Sequence, residues 1–195
     1  MLQFITSQND KYSIVEQVKI ALEAGCKWIE LCMENASTDD IKATTEELIP
    51  MCKEVDAILV IDDYVDIAKE LEITGVHIRK RGINVAEARN TLEGGPIIGV
   101  SVRTAGDIYA LKGIDVDYVT LGPDLELDAY RKIVNEVREA GVELPIVAYG
   151  DINLDNISDI MSTGVNGIAM GADILNAKNP IEYTISILNK LFNNR

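Results

Sequence analysis

The sequence predicts an α/β protein of the (β/α)8 TIM-barrel class, folded as one compact domain over residues 1–195. Three observations lead there. Short apolar runs alternate with amphipathic segments from one end of the chain to the other. Eight such pairs can be counted. The runs are apolar on both faces, as parallel strands covered by helices must be. An open, doubly wound sheet uses the same alternation. Eight units with short connections favour closure into a barrel, although a chain of 195 residues is at the compact limit of a fold that usually takes about 250.

The strands expected, in order, are LQFIT (2–6), WIELCM (28–33), AILVI (57–61), GVHI (75–78), IIGVS (97–101), DYVTLG (117–122), PIVAYG (145–150) and GIAMG (167–171). Helices fill the gaps. In SIVEQVKIALEAG, Ile14, Val15, Val18, Ala21 and Leu22 recur with helical spacing, and Gly25 stands where a helix stops. DAYRKIVNEVREAG repeats the design over 128–141, and NLDNISDIMSTG over 153–164, with Asn153 as expected N-cap and Gly164 as stop. A short helix is expected to begin near Ala172.

Composition narrows the partners. The formal net charge is −14, with 32 acidic against 18 basic residues, so the long-range field repels nucleic acid and anionic membranes. No run approaches the ~20 apolar residues of a transmembrane helix, and MLQFITSQNDKYS lacks the features of a signal peptide; a cytoplasmic protein is expected. Three cysteines, Cys26, Cys32 and Cys52, are odd in number and lack metal-ligand spacing. An oligomer is compatible with the sequence. A small anionic ligand needs only a local basic pocket, because charges beyond roughly 8–10 Å are screened.

In a barrel, the residues after each strand meet at one mouth, where chemistry sits. That places the paired acids Asp62 and Asp63 beside the basic run Arg79, Lys80 and Arg81, with Ser101 and Arg103 following. Carboxylates take magnesium and guanidinium groups take phosphate oxygens, so the juxtaposition suits a phosphorylated ligand held partly through Mg2+. Either aspartate also suits the N-cap of the next helix, and the basic run also suits a solvated loop. His77, the only histidine, faces either the barrel interior or the helices. Gly150 and Gly171 each follow a strand directly, and the second leads into Ala172. Glycine admits a phosphate close to backbone N–H groups, and barrels bind phosphate on these last two loops. Asp151 stands against that reading, because its carboxylate sits where an anion would lie.

The segments LVIDDYVDIAKELEITGVHI, IIGVSVRTAGDI, DYVTLGP and LPIVAYGDINLDNISDIMSTGVNGIAM resemble, in order and spacing, the thiamine-phosphate synthase and thiazole-tautomerase-like barrels over nearly the whole chain. The resemblance implies coupling of hydroxymethylpyrimidine diphosphate to thiazole phosphate with release of pyrophosphate. It implies a magnesium ligand at Asp63, with Asp62 in place of the usual asparagine. It also implies the family's fifth-strand serine at Ser101, a catalytic candidate together with Arg103, and a phosphate-loop glycine at Gly150. Several family positions differ. Glu30 stands for a glutamine, and Cys32, Met33 and Glu34 for Arg-Glu-Lys. Arg79–Arg81 replace Gly-Gln-Glu, Gly82 stands for the second magnesium aspartate, and Arg103 for the tautomerase histidine. The threonine-rich loop ending in lysine after the sixth strand is absent, and Asp151 replaces a glycine of the usual pair. Arg79, Lys80, Arg81 and Arg103 are the expected substitutes in positive charge. Two other outcomes stay open: an isomerase of a phosphorylated heterocycle, and a non-catalytic phosphate-ester binder.

Overall fold

The computed structural model of the chain describes residues 1–79 and 83–193. Its strands are β1 (Leu2–Ile5), β2 (Trp28–Leu31), β3 (Ile58–Asp62), β4 (Gly75–Ile78), β5 (Ile97–Val102), β6 (Tyr118–Leu121), β7 (Ile146–Tyr149) and β8 (Gly167–Met170). They pair in sequence order, all parallel, and β8 closes on β1. Helices α1 (Ile14–Glu23), α2 (Thr38–Glu54), α3 (Val65–Glu70), α4 (Val85–Leu92), α5 (Ala105–Tyr109), α6 (Leu127–Glu139), α7 (Ile157–Met161) and α8 (Ala172–Asn176) follow the strands, and α9 (Pro180–Asn193) packs on α1, α7 and α8. The (β/α)8 barrel expected from the alternation is the fold.

The period of two along each strand divides the core into two layers. Phe4, Ile29, Leu31, Ile61, Val76, Ile98 and Leu121 turn outward to the helices and are buried. Each contributes about 1.5–3 kcal/mol relative to exposure. Ile5, Trp28, Cys32, Tyr118, Val147 and Ala169 form a separate inner cluster. Here small residues make room for large ones. A Cβ on Gly99 would lie 2.1 Å from Tyr118 Cζ, so the Tyr118 ring occupies the place that any other residue at position 99 would take.

Local chemistry sets the helix ends. Ser13 and Glu16 form a reciprocal capping box on α1, and Gly25 (φ +93°) and Gly141 (φ +75°) lie in the left-handed region beyond α1 and α6. Two expectations need correction. The helix expected over 153–164 is confined to Ile157–Met161. The side chain of Asn153 accepts from Asp155 N, and that of Asn156 accepts from Asn153 N, so this asparagine-rich stretch folds into local turns instead. Nor does either aspartate of the 62–63 pair occupy the N-cap of α3. Tyr64 is the N-cap residue, Asp62 ends β3, and both carboxylates turn toward Arg79.

Candidate active site

A polar network fills the barrel beneath its C-terminal mouth. Gln3 Nε2 donates to Glu30 Oε2 at 2.6 Å and to Tyr118 Oη at 2.8 Å. These bonds join β1, β2 and β6, so they cross the interior. His77 lies there too: Nδ1 is 2.8 Å from Tyr118 Oη and Nε2 is 2.9 Å from Ser101 Oγ. The choice left open for the only histidine is thereby decided, because both ring nitrogens bond inside the barrel. Burial, helped by the charge of Arg79, pushes the His77 pKa down to about 3, so the ring is neutral at ordinary pH.

Glu30 is fully enclosed. Burial, and then the charge of Asp62 with which it shares a hydrogen bond, hold its pKa well above the usual carboxylate range. That direction favours the protonated form of Glu30, whose Oε2 lies 3.8 Å from His77 Nδ1. Its protonated carboxyl also suits Asp62 Oδ1, a buried oxygen with no other partner among the described residues. Burial raises the Asp62 pKa, opposed by Arg79, whose Nη1 donates at 2.8 Å to Asp62 Oδ2 and at 2.8 Å to Cys32 Sγ. Burial works against the Arg79 charge, and the Asp62 carboxylate more than offsets that, so the arginine pKa rises. The Cys32 thiol is pushed up, first by burial and then by Asp62, and stays a thiol.

Three adjoining cavities form the mouth, and Arg79 lines all of them. The first, about 410 Å³, lies over Asp62, Asp63 and Tyr64. The second, about 470 Å³, is bounded by Thr6, Tyr149, Gly150, Gly171 and Ala172, with Asp124, Asp151 and Asp173 on its wall. The third, about 720 Å³, takes in Ser101, Arg103 and Tyr149. Of the residues singled out in the sequence, Asp62, Asp63, Arg79, Ser101, Arg103, Gly150, Gly171 and Ala172 thus share one mouth. Lys80 and Arg81, with Gly82, lie outside the described residues.

No group of three or more His, Cys, Asp or Glu side chains that could hold a metal ion occurs among the described residues. Magnesium takes hard oxygen ligands from as few as one carboxylate together with substrate phosphates; Asp63 brings a carboxylate to the first cavity, whereas the Asp62 oxygens are turned to Arg79 and Glu30. Asp63 is held in a left-handed conformation (φ +62°), with its Oδ1 accepting from Arg79 N at 2.8 Å. That bond ties the end of β3 to the end of β4.

Sequence reasoning missed Gln3 and Tyr118 as parts of the site, and had Glu30 only as a departure from the glutamine that the resemblance implies. The signal was present: Gln3 and Glu30 are polar residues within otherwise apolar strands, and a buried polar group must find a partner. Tyr118 carried no such mark, since a tyrosine in a strand most often packs.

Residues 2–174 match the family model described as thiamine monophosphate synthase. The thiamine-phosphate synthase of Bacteroides fragilis is 42% identical over 200 aligned positions, which cover 96% of this chain and 98% of that one. That of Pyrococcus abyssi is 29% identical over 84% of this chain and 81% of its own. Among solved structures, thiamine phosphate pyrophosphorylase from Pyrococcus furiosus superposes with a TM-score of 0.89 at 28% identity, covering 99% of this chain and 96% of that one. Matched across the whole barrel, in sequence and in shape, the chain belongs to the thiamine monophosphate synthase family.

Proposed function

We propose that the chain is a thiamine-phosphate synthase, joining hydroxymethylpyrimidine diphosphate to thiazole phosphate and releasing pyrophosphate. The observation that carries this reading is the meeting, at one mouth, of the Asp62–Asp63 carboxylates with Arg79, Ser101 and Arg103. Heterolysis of the bond between the pyrimidine methylene and the diphosphate oxygen sends its electron pair out with pyrophosphate, and the thiazole nitrogen lone pair forms the new carbon–nitrogen bond. Groups that stabilise the departing charge accelerate such a step.

Ser101 and Arg103 are the donors available to pyrophosphate oxygens in the third cavity, and Arg79 adds positive charge from its border. Asp63 would hold magnesium, and Asp62, the second carboxylate expected there, would reach the metal only by giving up Arg79 or Glu30. When bound, the metal supplies positive charge to the leaving phosphates. Gly150, Gly171 and Ala172 offer backbone to the thiazole phosphate. Lys80 and Arg81, following β4, are proposed to extend the cationic side.

Assays for pyrophosphate and thiamine phosphate, with both substrates and with magnesium or a chelator, test the proposal. Magnesium-dependent formation of both products is expected, with kcat/KM reduced roughly 10²-fold by Asp63→Asn. Conversion of thiazole phosphate alone would replace it with the isomerase reading, and binding without turnover with the binder.

A further inference from the structure

We propose that Gln3, Tyr118 and His77 form a one-directional hydrogen-bond string that presents the Ser101 hydroxyl as a donor to an anionic ligand oxygen, making Tyr118 and His77 positioning residues. The direction follows from what each atom can do. Gln3 Nε2 carries only hydrogens, so toward Glu30 Oε2 and Tyr118 Oη it donates. The Tyr118 hydroxyl has one hydrogen. With Gln3 donating to its oxygen, that hydrogen goes to His77 Nδ1.

A ring nitrogen that accepts carries no hydrogen, so neutral His77 bears its proton on Nε2 and donates to Ser101 Oγ at 2.9 Å. The Ser101 hydrogen is then left for the third cavity, which Ser101 shares with Arg103 and Arg79. The opposite direction, with an Nδ1–H of His77 donating to Tyr118 Oη, would leave the buried Tyr118 hydrogen without an acceptor among the described residues, because Gln3 Nε2 can only donate. The ring position is itself built into the fold, because Gly99 leaves the space that Tyr118 fills. A serine held as donor, beside two arginines, selects an acceptor-only group: a phosphate or pyrophosphate oxygen.

Because the chain has a single histidine, its imidazole nitrogens can be assigned without ambiguity by NMR. Ligand-free protein at neutral pH is expected to show the Nε2–H tautomer. An Nδ1–H or doubly protonated ring would overturn the proposal, whatever becomes of any variant. Tyr118→Phe cuts the string. It is expected to introduce the Nδ1–H tautomer and to lower kcat/KM roughly tenfold or more, as Ser101→Ala does, with no further loss when the two are combined. An unchanged tautomer with wild-type turnover in Tyr118→Phe would refute the string.

The identity of the ligand rests on the synthase reading, whereas the tautomer does not. A protein with the Nε2–H tautomer that makes no thiamine phosphate would fail that reading alone. In that case binding of inorganic pyrophosphate is the readout. Roughly tenfold weakening in both variants supports the string, and unchanged binding in both overturns it.

Discussion

The two halves of the mouth are built on opposite principles. Over β3 and β4, the charges named so far are met within the protein: Arg79 meets Asp62, the Arg79 backbone N–H meets Asp63, and Glu30 meets what remains of Asp62. Over β7–β8, Asp124, Asp151 and Asp173 line a cavity in which Arg79 is the sole basic side chain among the described residues. The difference teaches where the ligand has to contribute. The first half is preorganised by these bonds. The second, as it stands, repels an anion and leaves a compensating cation or proton to arrive with the ligand.

Removing Arg79 would erase the contrast and should have the largest effect. Its guanidinium is the partner of a carboxylate that is only 7% exposed, and breaking a buried pair from one side costs about 3–5 kcal/mol. Arg79→Ala is expected at the lower end, because Asp62 can then take up a proton. Urea titration reads the stability, and synthase activity should fall in parallel. Stability within about 0.5 kcal/mol of wild type would mean that the pair is not the keystone of this half.

The preorganised half can be sharpened with pH. Glu30 has a folded-state pKa raised above its unfolded value, so the folded protein holds a proton that the unfolded chain releases. The stability contributed by that proton is fully present below the unfolded pKa and declines as pH rises through the folded one, by up to about 1.4 kcal/mol per pH unit. His77 runs the other way. Its pKa falls to about 3, so its contribution is intact above the ordinary histidine range and is lost as the pH drops toward that value. Glu30→Gln keeps the shape and hydrogen bonds of a neutral carboxyl, and should flatten the alkaline limb of a stability–pH curve while leaving the acid limb in place. Equal curves for the two proteins would show that Glu30 is ionised in the folded state.

The barrel was legible because it rests on repetition: eight apolar runs and helical spacing between them survive any uncertainty about single residues. Most of the mouth was legible for the same reason, since strand ends converge wherever a barrel closes. What was not legible depends on cross-barrel distances. Nothing local in WIELCM says that Glu30 meets Gln3 and Asp62, and nothing in DYVTLG says that Tyr118 links Gln3 to His77. Likewise, the capping of a helix by an aspartate is the commoner outcome in sequence. Here it lost to an arginine that arrives from the next strand. A glutamic acid that keeps its proton, as burial favours for Glu30, offers nearly the same hydrogen bonds as the glutamine that the resemblance places there.

The acidic half offers the smallest but most specific change. Burial, and then the charge of Asp151, raise the Asp173 pKa, which marks two carboxylates close enough to repel each other on the wall of the cavity proposed for thiazole phosphate. Both residues are exposed, so solvent screens the effect, and single exposed charge interactions amount to about 0.2–1 kcal/mol. Asp173→Asn is therefore expected to tighten thiazole phosphate roughly twofold to fivefold in a calorimetric titration at low salt, with the gain shrinking as salt is added. The same substitution should leave pyrophosphate binding at the Arg103 side nearly untouched, since among the described residues the two cavities share only Arg79, Pro123 and Tyr149. Tightening of both ligands alike would mean that one field governs the whole mouth, and the division into a preorganised and a ligand-completed half would have to be given up.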